Sequence, residues 1–198
     1  MIDAGLILLG LPLWFLFQGR KKKGDFSGNL SRIEFANLTS KDLPDKKQLL
    51  EFEKLSRQEG SGIEFHSLIG LWKFVYVWKQ QTDKENLIAS SLLRTFSASL
   101  ELREKGSKNF SLTNSIKFGL LSISFVGVGN LKGKQPLLHF FFDHIEVKFG
   151  SKVLFTRSIE IAEEKDGPFF SLIAIEENSK WLSARGRGGG LALWVKNE

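Results

Sequence analysis

Cysteine is absent from all 198 residues. That excludes structural disulfides, thiolate nucleophiles and cysteine-based zinc sites. Histidine is scarce, with three in the chain, and only His139-Phe140-Phe141-Phe142-Asp143-His144 gathers two of them near an acid. On a strand His139 and Asp143 would share a face and His144 would point away, so the cluster lacks a third ligand. We therefore expect no metal, and a core or rim role for these histidines. There is no Walker loop and no Gly-x-Ser-x-Gly elbow. Gly127-x-Gly129-x-x-Lys132-Gly133 resembles a dinucleotide loop only on the surface, because its third glycine is displaced and no βαβ unit surrounds it. The acid pairs Glu163-Glu164 and Glu176-Glu177 are adjacent, so on a strand each pair splits between two faces and makes no acid/base dyad. No catalytic constellation remains, and a non-enzymatic role is expected.

Long apolar runs are also missing. The uncharged stretch 4–17 would span roughly 21 Å as a helix, against a hydrocarbon core of roughly 30 Å. Its only preceding charge is Asp3, and Arg20-Lys21-Lys22-Lys23 follows it, the reverse of a cleaved secretory signal. Trp14 and the basic cluster Arg20, Lys21, Lys22 and Lys23 suit a membrane interface, as a short uncleaved anchor or a segment lying on the surface. The basic cluster would keep the bulk of the protein on the cytoplasmic or stromal side. A buried N-terminal helix is the alternative. The cluster supplies four of the formal +6 charges. The remainder is close to neutral, which argues for a local patch and against a nucleic-acid-binding face.

The chain is rich in aromatic residues, with 18 phenylalanines and five tryptophans against a single tyrosine. Aromatics in that number suit a sheet interior. Residues 24–41 read as a polar linker and 42–198 as one domain. Residues 42–59 predict a helix, with Asp42 as cap, Pro44 in the first turn, an apolar stripe of Leu49, Leu50, Phe52 and Leu55, and Gly60-Ser61-Gly62 as its end. A second short segment, 63–69, leads into a sheet.

From Gly70 the period becomes two. Trp72, Phe74, Tyr76 and Trp78 share one face of the first strand. Further alternation marks strands over 92–102, around Ile116 to Phe125, at 147–149, 153–161, 169–175 and 191–195. Turns are expected at Gly106, Gly127-Val128-Gly129-Asn130, Gly133, Gly150-Ser151 and Asp166-Gly167-Pro168. Short strands at this spacing predict an antiparallel meander, barrel or sandwich. Gly70-x-Trp72 at the first strand favours a lipocalin-like antiparallel β-barrel: the glycine turns the chain in and the tryptophan plugs the closed end. Arg185-Gly186-Arg187-Gly188-Gly189-Gly190 is too short, and too closely flanked by strands, for an RNA-binding glycine-arginine tract. A hairpin closing the barrel is the expectation, with Arg185 stacked on Trp72.

Two segments resemble a known family. Leu68-Ile69-Gly70-Leu71-Trp72-Lys73-Phe74-Val75-Tyr76 looks like the "NGRWRLLYT" opening of the plastid lipid-associated protein (PAP/fibrillin) family of plastids and cyanobacteria. The segment from Leu182 through Arg185, Gly186 and Gly190 to Lys196 looks like its closing "LRISRGDGGSLFVLVK". Gly70, Trp72, Tyr76, Arg185 and Gly186 match by position, whereas Arg187 stands where the family has an acid. The resemblance implies a lipocalin-like barrel that binds hydrophobic molecules such as lipid, quinone or carotenoid at thylakoids or plastoglobules. Trp72, Phe74, Tyr76 and Trp78 are the candidate ligand-binding residues, and Gly70, Arg185 and Gly186 the candidate closure residues. Two alternatives stand beside it: a tetrapyrrole- or bilin-handling enzyme on the same scaffold, or a membrane-anchored assembly factor with a solid barrel.

Overall fold

The structure is a computed structural model that describes residues 43–78, 97–106, 109–134, 136–159, 167–176 and 180–197. The apolar segment and basic cluster of 1–23, the linker 24–41 and residues 92–96 of the expected second strand lie outside the described residues.

Helix α1 spans Lys46–Glu59 and starts three residues later than the first cap candidate suggested. Asp45, not Asp42, is the cap. Its side chain accepts from the Gln48 amide and the Gln48 side chain accepts from the Asp45 amide, a reciprocal capping box. Pro44 precedes the helix. The buried residues are Leu49, Glu53 and Ser56, spaced four and three apart on one face. Leu50, Phe52 and Leu55 are exposed, so the expected apolar stripe is not the buried one. The buried face is set by an ion pair described below. Gly60 ends the helix, and a 3-10 turn at His66–Leu68 fills the short second segment.

Nine antiparallel strands follow: β1 Gly70–Trp78, β2 Ser99–Glu104, β3 Asn109–Phe118, β4 Leu121–Lys132, β5 Leu137–Phe149, β6 Lys152–Ser158, β7 Phe169–Glu176, β8 Trp181–Gly186 and β9 Leu191–Asn197. The pairings run β1–β2–β3–β4–β5–β7–β8–β9 and return to β1, so the sheet closes roughly in a ring. Strand β6 is not in the ring. It pairs with the distal half of β5, while the proximal residues Leu137–His139 pair with β7.

Both faces of the ring carry an apolar cluster. The inner one draws on seven strands and includes Trp72, Leu102, Phe110, Leu112, Phe140, Phe170 and Trp194. The outer one lies under α1 and joins Leu49 to Val75, Trp78, Ile173, Trp181, Leu191, Leu193 and Val195. At roughly 25 cal/mol per Å² of apolar surface, two such layers supply most of the driving force for folding.

Strand β4 runs unbroken through Gly127-Val128-Gly129-Asn130, where a turn was expected. The glycines answer a steric demand instead. A Cβ on Gly127 would lie 1.8 Å from the Phe141 carbonyl oxygen, and one on Gly129 would lie 2.8 Å from that of His139. They face Phe142 and Phe140 across the β4–β5 ladder, so small residues on one strand admit large ones on the next. The tight turn falls earlier, at Phe118-Gly119-Leu120-Leu121.

Candidate functional site: the aromatic interior of the ring

Strand β1 does not present its four aromatics on one face. A β-bulge between Phe74 and Tyr76 inserts one residue into the pairing with β9. An extra residue reverses the alternation beyond it. Trp72, Phe74 and Val77 therefore point inward, whereas Val75 and Trp78 join the outer cluster and Tyr76 packs against it. Of the four candidate ligand-binding residues, Trp72 and Phe74 are on the inner face and Tyr76 and Trp78 are not.

The missing partners come from strands that carried no motif. A line of touching rings crosses the interior from Phe74 to Trp194 (centroids 6.1 Å apart), Phe170 (5.4 Å), Phe140 (5.3 Å), Phe142 (5.4 Å) and Phe125 (5.5 Å). Edge-to-face and tilted contacts at such separations are the favoured aromatic geometry. Both ends of the line, Phe74 and Phe125, are buried, and Phe142 within it is only partly buried. Phe142 could have been identified from its place in the triple Phe140-Phe141-Phe142, but only with the register to β4 in hand.

Trp72 is anchored to the turn that precedes β1. Its indole N–H donates to the Leu68 carbonyl at 2.8 Å. The cation over its ring is Lys196, with Nζ at 5.2 Å from the centroid, and not Arg185. Gly70 sits beneath this arrangement with φ +141, where a Cβ would come within 2.7 Å of Lys196 Cε. Glycine is favoured there by its conformation, since the end of the Lys196 side chain could move aside.

Arg185 turns outward to α1. Its Nε donates to Glu53 Oε1 at 2.6 Å, its Nη2 pairs with Oε2, and its Nη1 donates to the Gly189 carbonyl at 2.6 Å. Arg57 adds a further bond to Glu53 Oε1 at 2.6 Å. Burial pushes the Glu53 carboxyl up. The hydrogen bond and charge of Arg185, then those of Arg57, outweigh it and hold the group below its ordinary value. The arrangement is a fork-to-fork clamp, joining the helix to the ring across 132 residues of sequence. The expected hairpin between β8 and β9 is present, closed by the Gly186 amide on the Gly190 carbonyl at 2.9 Å. Arg187, at the position that departs from the family pattern, donates to the Gly167 carbonyl at 2.8 Å, so a main-chain oxygen receives its charge.

His139 packs its ring against Phe169 at 5.6 Å, while His144 contacts its neighbour Asp143. Asp143 is the extra residue of a bulge between β4 and β5, so His144 and His139 belong to differently registered stretches of β5. Among the described residues, no three His, Cys, Asp or Glu side chains gather as a metal site. A shallow depression of about 290 Å³ lies on α1, lined by Leu50, Glu53, Lys54, Arg57 and Gln58. Its one buried acid is already engaged in the clamp. No helix among the described residues is long and apolar enough to cross a membrane.

Set against protein-family models and curated proteins, the chain matches none.

Proposed function

We propose that the ring is a lipocalin-like barrel of the PAP/fibrillin type that binds or stores lipids or isoprenoids, such as a quinone or carotenoid, without catalysing a reaction. Its partners would be that hydrophobic molecule and a photosynthetic membrane surface or lipid droplet. The observation that carries the reading is the line of six aromatic rings from Phe74 to Phe125, in which Phe142 is only partly buried. A flat or elongated apolar molecule laid against the partly buried Phe142 would bury surface at roughly 25 cal/mol per Å² with little polar chemistry. The basic cluster at residues 20–23 would supply attraction to an anionic surface.

The test is to isolate the full chain from membranes of its own cells, extract it with solvent and identify the extract. A quinone, carotenoid or other isoprenoid at near one per chain is the expected result. Phe142→Ala should lower that yield in protein that remains folded. A bilin in the extract would move the reading to tetrapyrrole handling.

One observation favours a second reading. Trp72, Phe110 and Phe140 are almost completely buried, and Phe65 stacks on Phe110 at 4.2 Å. A ring filled by its own side chains would act through its surface, as an assembly factor does. An empty extract from folded protein would select that reading.

A further inference from the structure

The inner face of the sheet does not stop where the ring stops. Among the described residues, β2 pairs β3 only as far as Ser115, and β7 pairs β5 only over Leu137–His139. The end of β3, the start of β4, the distal half of β5 and all of β6 continue beyond as a four-stranded extension. Two tight turns cap it side by side. Phe118 pairs with Leu121 around the first and Phe149 with Lys152 around the second. The Gly150 amide donates to the Leu120 carbonyl at 2.7 Å and ties the two turns together.

These turns and β6 carry Phe118, Leu120, Leu121, Phe149, Val153, Leu154 and Phe155, all exposed. Large apolar side chains clustered in this way on a surface mark an interaction site. Charge narrows the partner. Lys117, Lys148, Lys152 and Arg157 surround the apolar residues, and Glu146 is the one acid over 117–122 and 146–158. That acid already lies 2.5 Å from Lys148 Nζ. Exposure narrows it further. Every residue of β6 is exposed, including three apolar residues in succession, so neither face of the strand is covered. A folded protein laid on a strand covers one face, whereas a lipid interface surrounds both.

We propose that the Phe118–Leu121 and Phe149–Lys152 turns, with β6, form a membrane-docking tip that enters the interfacial region of an anionic bilayer. The depth is shallow. Among the described residues β6 pairs only with β5. Its other edge would be left without hydrogen-bond partners in hydrocarbon, but keeps them among headgroups and water. The proposal does not depend on what the ring carries.

The absence of cysteine makes a direct test available, because a single introduced thiol labels one position. The full chain is prepared as Ser151→Cys, at the tip, and as Lys134→Cys, in the β4–β5 turn at the other end of the hairpin. Each is labelled with an environment-sensitive fluorophore and mixed with vesicles of phosphatidylcholine, with or without about one-third phosphatidylglycerol. The expected result is a blue shift at Ser151→Cys on anionic vesicles and none at Lys134→Cys. Lys117→Gln with Lys152→Gln in the Ser151→Cys background should raise the lipid concentration for half the shift about tenfold. An unshifted Ser151→Cys label on vesicles that retain the chain would overturn the proposal. So would a label shift without lipid that follows protein concentration, which would assign the tip to a second copy of the chain. The ring reading is judged separately, on the solvent extract.

Discussion

Strand β5 holds two environments in thirteen residues. Leu138 and Phe140, near its start, are 1% exposed, whereas Phe149, at its end, is 54% exposed. Large apolar residues occur in both halves, Leu138, Phe140 and Phe142 in the first and Ile145, Val147 and Phe149 in the second. The difference is coverage: the first half pairs directly with β7 and packs in the inner cluster with Phe170 and Leu172, and the second half continues into the extension with β6 at its edge. An apolar face within a ring stabilises the fold, and the same face beyond the ring is available to something else. Period two in a sequence reports which face is apolar and does not report whether that face is covered.

The sharpest way to break this comparison is to delete the same side chain from each half. Phe140→Ala removes a ring that touches Phe142 and Phe170 in a packed interior and should cost about 3–5 kcal/mol of unfolding free energy. Phe149→Ala should stay within about 0.5 kcal/mol. Urea unfolding of both variants reads the contrast directly. Comparable losses would mean that the distal half is packed as the proximal half is.

A second comparison sets the inner layer against the helix that covers the outer one. Arg185→Met leaves Glu53, with its side chain 8% exposed, to Arg57 alone and should cost about 3 kcal/mol. Pairing it with Glu53→Leu should recover part of the loss, since no buried charge then lacks a partner. A denaturant series on the two variants, read by the change in midpoint, checks both statements. Ring closure should survive, because the β8–β9 ladder does not use the Arg185 side chain.

The smallest effect is one of pH. The Glu53 carboxyl titrates lower in the folded chain than its ordinary value of 4.5. A lowered carboxylate pKa adds stability above the unfolded value and loses it as pH falls through the folded one. Thermal midpoints should therefore hold near neutral pH and fall below about pH 4.5. Glu53→Gln should flatten that slope, already having lost the contribution.

Parts of most strands and several of their turns were legible in the sequence, although β5 was anticipated only at 147–149 and β4 only near Ile123 to Phe125. Alternation from Gly70 onward located β1, and the glycine-rich stretch after Arg185 located the last hairpin. Three features were not legible, for three physical reasons. The bulge in β1 obeys the pairing with β9, more than a hundred residues away, so no local pattern announces that Tyr76 and Trp78 turn outward. Gly127 and Gly129 look like turn residues because glycine serves turns and close packing equally; the close approach of the β5 main chain decides which. The Glu53–Arg185 clamp replaces an apolar stripe, and a charged residue at a helix face reads as exposed until its partner is known. The expected assignment of Arg185 to Trp72 failed in the same way: Lys196, two residues after Trp194, reached that ring first.

The join between β1 and β9 has a kinetic meaning. The first strand of the ring can find one of its two neighbours only after residues 191–197 exist. Until then a growing chain holds a nine-residue strand, with two tryptophans, a phenylalanine and a tyrosine, and one edge unsatisfied. Pairings this distant in sequence make folding slow. During synthesis the greatest hazard for this protein is therefore at β1, one of the best-buried strands once the ring has closed.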